Sequence, residues 1–191
     1  MLKFLFALGG LLAMTAPLSA QEATFKCPDA GTRVERTDAP ALTFRGASTS
    51  NPLICVDALG QERFLGYWRA ADGFFRAGKD TLLRNFTSGA GGVSTINYFG
   101  SNRVAESIYI NENWQILGPE RVSVIAGSFE ALKVQRQYWI TGTNYRFTET
   151  VWFDRATGAP VKSTVDHRNA IMSSDVISWQ ATEVLTRRAG S

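Results

Sequence analysis

Between Phe129 and Phe153 apolar and polar residues alternate with a period of two. That spacing predicts strands with one buried face. A two-residue turn at Gly142-Thr143 pairs Ile140 with Tyr145, Tyr138 with Phe147, Val134 with Val151 and Leu132 with Phe153. This face is apolar except where Arg136 stands opposite Glu149. The other face pairs Trp139 with Arg146, Gln137 with Thr148, Gln135 with Thr150 and Lys133 with Trp152. A slip of one residue would destroy both patterns, so the register is strongly specified. Glycine at the first turn position suits a type II′ hairpin turn.

Two expectations follow from the register. Trp139 and Trp152 face outward beside cations that shield them. Arg136 and Glu149 compensate each other, because an unpaired charge on an apolar face is costly. The pair reads first as a structural ion pair and second as a polar fixture in a ligand cavity.

Elsewhere, short runs at 31–38, 41–48, 52–60, 61–70, 96–100, 104–117 and 121–127 are separated by Gly, Pro, Asp and Ser. Such runs predict strands of an antiparallel sheet or barrel. The stretch 78–92 differs. Leu82, Leu83 and Phe86 share a helical face, and Gly89 to Gly92 would stop it. One short helix is predicted there.

The first twenty residues, MLKFLFALGGLLAMTAPLSA, have a lysine, an apolar run and a small-residue end. They read as an export signal cleaved after Ala20, too short to span a bilayer comfortably. Residues 21–191 then form a single β-rich domain, periplasmic or secreted, with no membrane span after cleavage. In that setting Cys27 and Cys55 predict a disulfide. With only one histidine and no further cysteine, no soft-ligand metal site is expected. The formal net charge is +3, from 20 Lys+Arg against 17 Asp+Glu, with the cations scattered. Nucleic acid is an unsuitable partner for that distribution.

Catalytic motifs are weak. The segment FDRATG (153–158) lacks the second Asp-Thr-Gly-type copy of an aspartic protease and any phosphate-cradling glycine loop. It reads as a turn, with Asp154 bonding nearby N–H groups and Gly158 at positive φ. His167 would have to serve any histidine general base, yet Asp166 points to the opposite face and no G-x-S-x-G occurs. A solvated surface histidine is the expected role. Carboxylates dispersed along the chain leave a hydrolase as a third reading. No catalytic residue and no cofactor is assigned.

AGSFEALKV (126–134) followed by VWFDRATGAPVKS (151–163) resembles a pattern in a family of uncharacterised exported bacterial proteins. That family is similar to the lipoprotein-carrier-like class of half-barrel periplasmic proteins, and the likeness covers roughly residues 104–185. The resemblance implies a mainly β fold: a curved antiparallel sheet or half-barrel whose concave side suits an apolar or lipid-like molecule. The expected function is non-catalytic binding, with Tyr138, Phe147, Arg136 and Glu149 as ligand-binding residues. Leu132, Val134, Val151 and Phe153 line the same face and read as core before pocket. The alternative is an envelope scaffold or assembly factor working through Trp139 and Trp152.

Overall fold

The computed structural model of the protein describes residues 25–89, 92–101, 106–169 and 176–186. The expected export signal lies outside these residues. The strands are β1 (Arg33–Arg36), β2 (Ala39–Ala47), β3 (Ile54–Asp57), β4 (Glu62–Phe64) and β5 (Trp68–Arg69), followed by helix α1 (Gly73–Thr87). Then come β6 (Ser94–Gly100), β7 (Ile108–Val124), β8 (Gly127–Ile140), β9 (Arg146–Asp154), β10 (Pro160–Arg168) and β11 (Trp179–Leu185). They form one antiparallel sheet in the order β5-β4-β3-β2-β1-β11-β10-β9-β8-β7-β6, curled into a half-barrel.

Strands adjacent in sequence within 33–69 and within 94–185 are adjacent in the sheet. The exception is the seam where β1 pairs with β11. The helix α1 runs between the two edge strands, β5 and β6, and packs against β6 and β7.

The helix starts five residues before the expected 78. Phe74 and Phe75 explain the extra turn, since both are buried in the core. Gly78 gives the sequence a broken look, but it sits where a Cβ would meet Ile96 of β6 at 2.4 Å. Glycine there lets the helix lie close to the strand. The strands expected at 104–117 and 121–127 are one strand, β7, with a register shift between Ile116 and Gly118. A bulge bends a strand without ending it.

The β8–β9 register is as predicted, from Leu132 opposite Phe153 to Trp139 opposite Arg146. The turn differs. Thr143 N–H donates to the Ile140 carbonyl at 3.2 Å, so Gly142, at φ +78°, is the third residue of the turn. It is not the first residue of a type II′ turn.

Two apolar clusters hold the sheet together. The larger joins Phe74, Leu82 and Phe86 of α1 to Trp114, Val134, Val151 and Phe153 of the sheet, and to Phe64 and Trp68. Its rings are close: Trp114 is 4.8 Å from Phe74 and 4.7 Å from Trp68, centroid to centroid. Burying large side chains at about 25 cal/mol per Å² makes this the main source of stability. The second cluster includes Leu42, Phe44, Ala131, Trp152, Val161 and Ala181. Its cover comes partly from the β7–β8 tip, where Ala126 N–H donates to the Ala181 carbonyl at 2.9 Å. The predicted disulfide is present between Cys27 and Cys55, with a separation of 28 residues. No helix among the described residues is long and apolar enough to cross a membrane.

Candidate functional site

Arg136 sits on β8 in the apolar phase of the strand. Its Nε and Nη2 donate to the two oxygens of Glu112 at 2.9 and 2.7 Å. Its Nη1 lies 3.8 Å from Glu149 Oε2. The expected Arg136–Glu149 pair is therefore present as the looser contact, and the bidentate partner is Glu112 on β7. The reason is sheet geometry. β8 has two neighbours, and Glu112 is diagonal to Arg136 across the β7 ladder, where Trp114 is directly opposite. The sequence carries a signal for this, because Ile110, Glu112, Trp114 and Ile116 fall in one buried phase.

Both carboxylates are fully enclosed, with side chains 0% and 1% exposed against 11% for Arg136. Each is satisfied by neighbouring donors. Trp114 Nε1 donates to Glu112 at 2.8 Å, and so does the Tyr98 hydroxyl. Trp68 Nε1 donates to Glu149 at 2.8 Å. The guanidinium lies 5.0 to 5.7 Å from the ring centroids of Phe74, Trp114, Tyr138 and Phe147. Cation–π attraction in such a desolvated place is worth about 2 kcal/mol.

Burial acts differently on Arg136, Glu149 and Tyr138. Burial alone would lower Arg136, but Glu112, Glu149 and Tyr98 together outweigh it and hold the guanidinium above its ordinary value. Burial pushes the Glu149 carboxyl up, against the opposing pull of Arg136, Trp68 and Tyr67. Tyr138 is pushed up to about 12 by burial and by Glu112.

A cavity of about 590 Å³ reaches this cluster from the side of β2 to β5. Arg136 and Glu149 lie at one part of its wall, with Arg36, Leu42, Tyr67 and Trp68 among the others. A separate cavity of about 540 Å³ is lined by Tyr138, Trp139, Phe147, Arg146 and Arg168. The four expected ligand residues therefore share one cluster but divide between two cavities. Tyr138 and Phe147 stack at 4.8 Å with an interplanar angle of 10°. Leu132, Val134, Val151 and Phe153 belong to the packed core. Helix α1 and the Phe64–Trp68 segment fill the space over them, so that part of the concave face is not a pocket.

Several residues of the site are silent in the sequence. Arg36 ends β1 and Tyr67-Trp68 lie at the β4–β5 corner, and only the curl of the sheet brings them to the same cavity as Glu149. Trp179 Nε1 donates to the Tyr67 hydroxyl at 3.0 Å, and the Arg36 guanidinium lies 4.8 Å over the Trp179 ring.

Trp152 corrects the outward-facing expectation. It is 7% exposed. The ammonium groups of Lys133 and Lys162 lie 5.2 and 5.0 Å from its ring, and its Nε1 donates to Glu120 at 3.1 Å. The cations do shield it, but it is part of the second apolar cluster and offers no surface for a partner. Trp139 is half-buried.

The candidate catalytic residues take other roles. Asp154 accepts from Ala156 N–H, Thr157 N–H and the Thr157 hydroxyl at 3.2, 3.0 and 2.6 Å. Gly158 has φ +75°. FDRATG is thus a turn closed on itself. His167 is half-buried and packed against Phe147, with Nε2–H donating to the Val176 carbonyl at 3.1 Å, which corrects the solvated reading. Of the two clustered carboxylates only Glu149 lines the cavity. A pair of carboxylates flanking a bound glycoside is not assembled by them. Among the described residues no group of three or more His, Cys, Asp or Glu could hold a metal.

No protein-family model, curated protein or solved structure matches the chain.

Proposed function

We propose that this chain is a non-catalytic binding protein of the periplasm or extracellular space, holding an apolar or lipid-like molecule. The ligand occupies the cavity beside Glu149, and not the filled part of the concave face. One observation carries this reading: a cavity of about 590 Å³ with Leu42, Leu59, Tyr67 and Trp68 in its wall and buried polar groups at Arg136 and Glu149. Ligand sites are typically about 300–1,000 Å³, and this one joins those apolar residues to a wall rich in charged groups. The curled half-barrel is compatible with ligand binding, and the disulfide supports an oxidising compartment.

Native mass spectrometry of protein purified from its own cell envelope tests this. A copurified small molecule is expected, released by a Trp68→Ala variant that still folds. Protein that emerges ligand-free, and that takes up no alkyl probe added to it, overturns the reading.

A scaffold reading keeps one supporting observation. Phe99 on edge strand β6 is 73% exposed and pairs with Tyr109 at 5.1 Å. Exposed apolar patches mark interaction sites. If this pair carries the function, Phe99→Ser abolishes partner capture and leaves alkyl-probe binding unchanged.

A further inference from the structure

The cations that line the cavity are not equivalent. Arg136 is engaged bidentately by Glu112. Arg63 Nε donates to Asp57 at 2.8 Å. Arg36 has no carboxylate partner among the described residues. Its Nε donates to the Pro40 carbonyl at 2.8 Å, and its Nη2 donates to the same oxygen. That leaves Nη1 without a carboxylate to meet. The group is held in place by the Trp179 ring at 4.8 Å. Burial lowers its pKa, Tyr67 opposes that, and the Arg63 charge adds to it.

A half-buried guanidinium with only a neutral acceptor is costly to keep. Nearby Arg69 also lines the cavity, exposed and without an ion pair among the described residues. The acids in the wall do not cancel this. Asp57 is taken by Arg63 and by the N–H groups of Leu59 and Gln61. Glu149 lies by Arg136 and Trp68. Asp72, next to α1, is the remaining acid of the wall.

We infer that the cavity takes an anionic amphiphile, its carboxylate or phosphate head on the Arg36 guanidinium and its apolar body along Leu42, Tyr67 and Trp68. This rests on the binding reading above and adds the charge of the ligand. A planar guanidinium presents paired N–H groups that match a carboxylate or phosphate. The site is preorganised. Arg36 stacks on Trp179, Trp179 bonds Tyr67, and Trp68 bonds Glu149, so little ordering remains for binding.

Isothermal titration calorimetry with decanoate, decyl phosphate, decanol and inorganic phosphate tests the inference. Decanoate or decyl phosphate is expected to bind about ten- to a hundred-fold tighter than decanol, the worth of a charge-assisted hydrogen bond. Arg36→Gln should remove that preference, so that decanoate and decanol bind with similar affinity. Decanol binding as tightly as both anions overturns the inference and leaves the binding reading intact. Inorganic phosphate binding as tightly as decyl phosphate overturns the amphiphile, reducing the site to one for a simple anion. No binding by any alkyl probe overturns the binding reading itself. If Arg36→Gln does not fold, salt decides with the wild-type protein. Decanoate affinity must fall as NaCl rises while decanol affinity does not. An unchanged decanoate affinity overturns the inference.

Discussion

Arg136 and Lys133 are on the same strand, three residues apart, yet their charges do different work. Removing the Arg136 side chain leaves Glu112 and Glu149 enclosed with no paired cation among the described residues. Breaking a buried pair in this way costs about 3–5 kcal/mol. Lys133 meets Glu120 at 3.0 Å, with the two side chains 29% and 47% exposed. Such a pair is worth about 0–1 kcal/mol, plus a little for the Trp152 contact. Urea melts should therefore show Arg136→Ala losing several times more stability than Lys133→Ala. Equal losses would contradict the buried cluster.

Glu149 gives a pH dependence with a defined sign. Its folded-state pKa is raised by burial. The folded protein thus holds that proton more tightly than the unfolded chain does. Stability at this position is fully present below the unfolded pKa, about 4, and is lost as pH rises through the folded value. Each unit of elevation is worth about 1.4 kcal/mol. A glutamine at this position would still accept from Trp68 and would not titrate. The stability of Glu149→Gln relative to wild type should therefore grow in favour of the variant as pH rises above the unfolded value of about 4. A difference that stays flat with pH would mean that burial does not raise the Glu149 carboxyl in the folded protein. At this scale the sequence is partly readable. Arg136 and Glu149 stand out as charges in an apolar phase. Glu112 stands out equally, but only a second ladder shows that it faces Arg136.

Among the elements, the turn after β9 has the strictest local requirement. A Cβ on Gly158 would lie 2.1 Å from the carbonyl oxygen of Lys26, which is backbone and cannot swing away. The residue also has φ +75°. Gly142 has nearly the same φ, +78°, but a Cβ there would meet nothing within 4 Å. Gly142→Ala should cost about 1–2 kcal/mol, the conformational penalty alone. Gly158→Ala should cost clearly more, about 3 kcal/mol or above, because the strain adds to a clash. Thermal melts of the two variants separate the two contributions. Equal shifts would show that the N-terminal segment does not rest on this turn.

Alternation makes the β8–β9 hairpin readable residue by residue, because one face is buried and a slip is penalised at every pair. The start of α1 is hidden by Gly73 and Gly78, whose reason is contact with β6 and not local propensity. The burial of Trp152 is hidden for a related reason. Period-two spacing says which face a residue is on, not whether a distant hairpin tip will cover that face. The FDRATG turn needs no tertiary information, since the N–H groups that Asp154 accepts from lie within three residues of it.

For the molecule as a whole, the disulfide links the segment before β1 to β3. Closing a loop of this size is worth about 2–4 kcal/mol. Replacing Cys27 and Cys55 by Ser should lower stability by about that amount under oxidising conditions. Addition of a reductant should then destabilise the wild type and leave the variant unaffected. The cavity is the least readable feature. Its walls come from the end of β1, β2, the β3–β5 region and the β8–β9 hairpin, and no local pattern announces that they meet.

The seam between β1 and β11 also sets an order of events. Every other ladder joins strands that follow one another along the chain, so each can zip as soon as its two strands exist. The seam joins the first strand to the last, and it carries the largest loop-closure cost. Until it forms, β1 and β11 are open edges able to accept a strand from another molecule. Folding of this chain is thus a race between its own last strand and its neighbours, decided by how quickly β11 arrives.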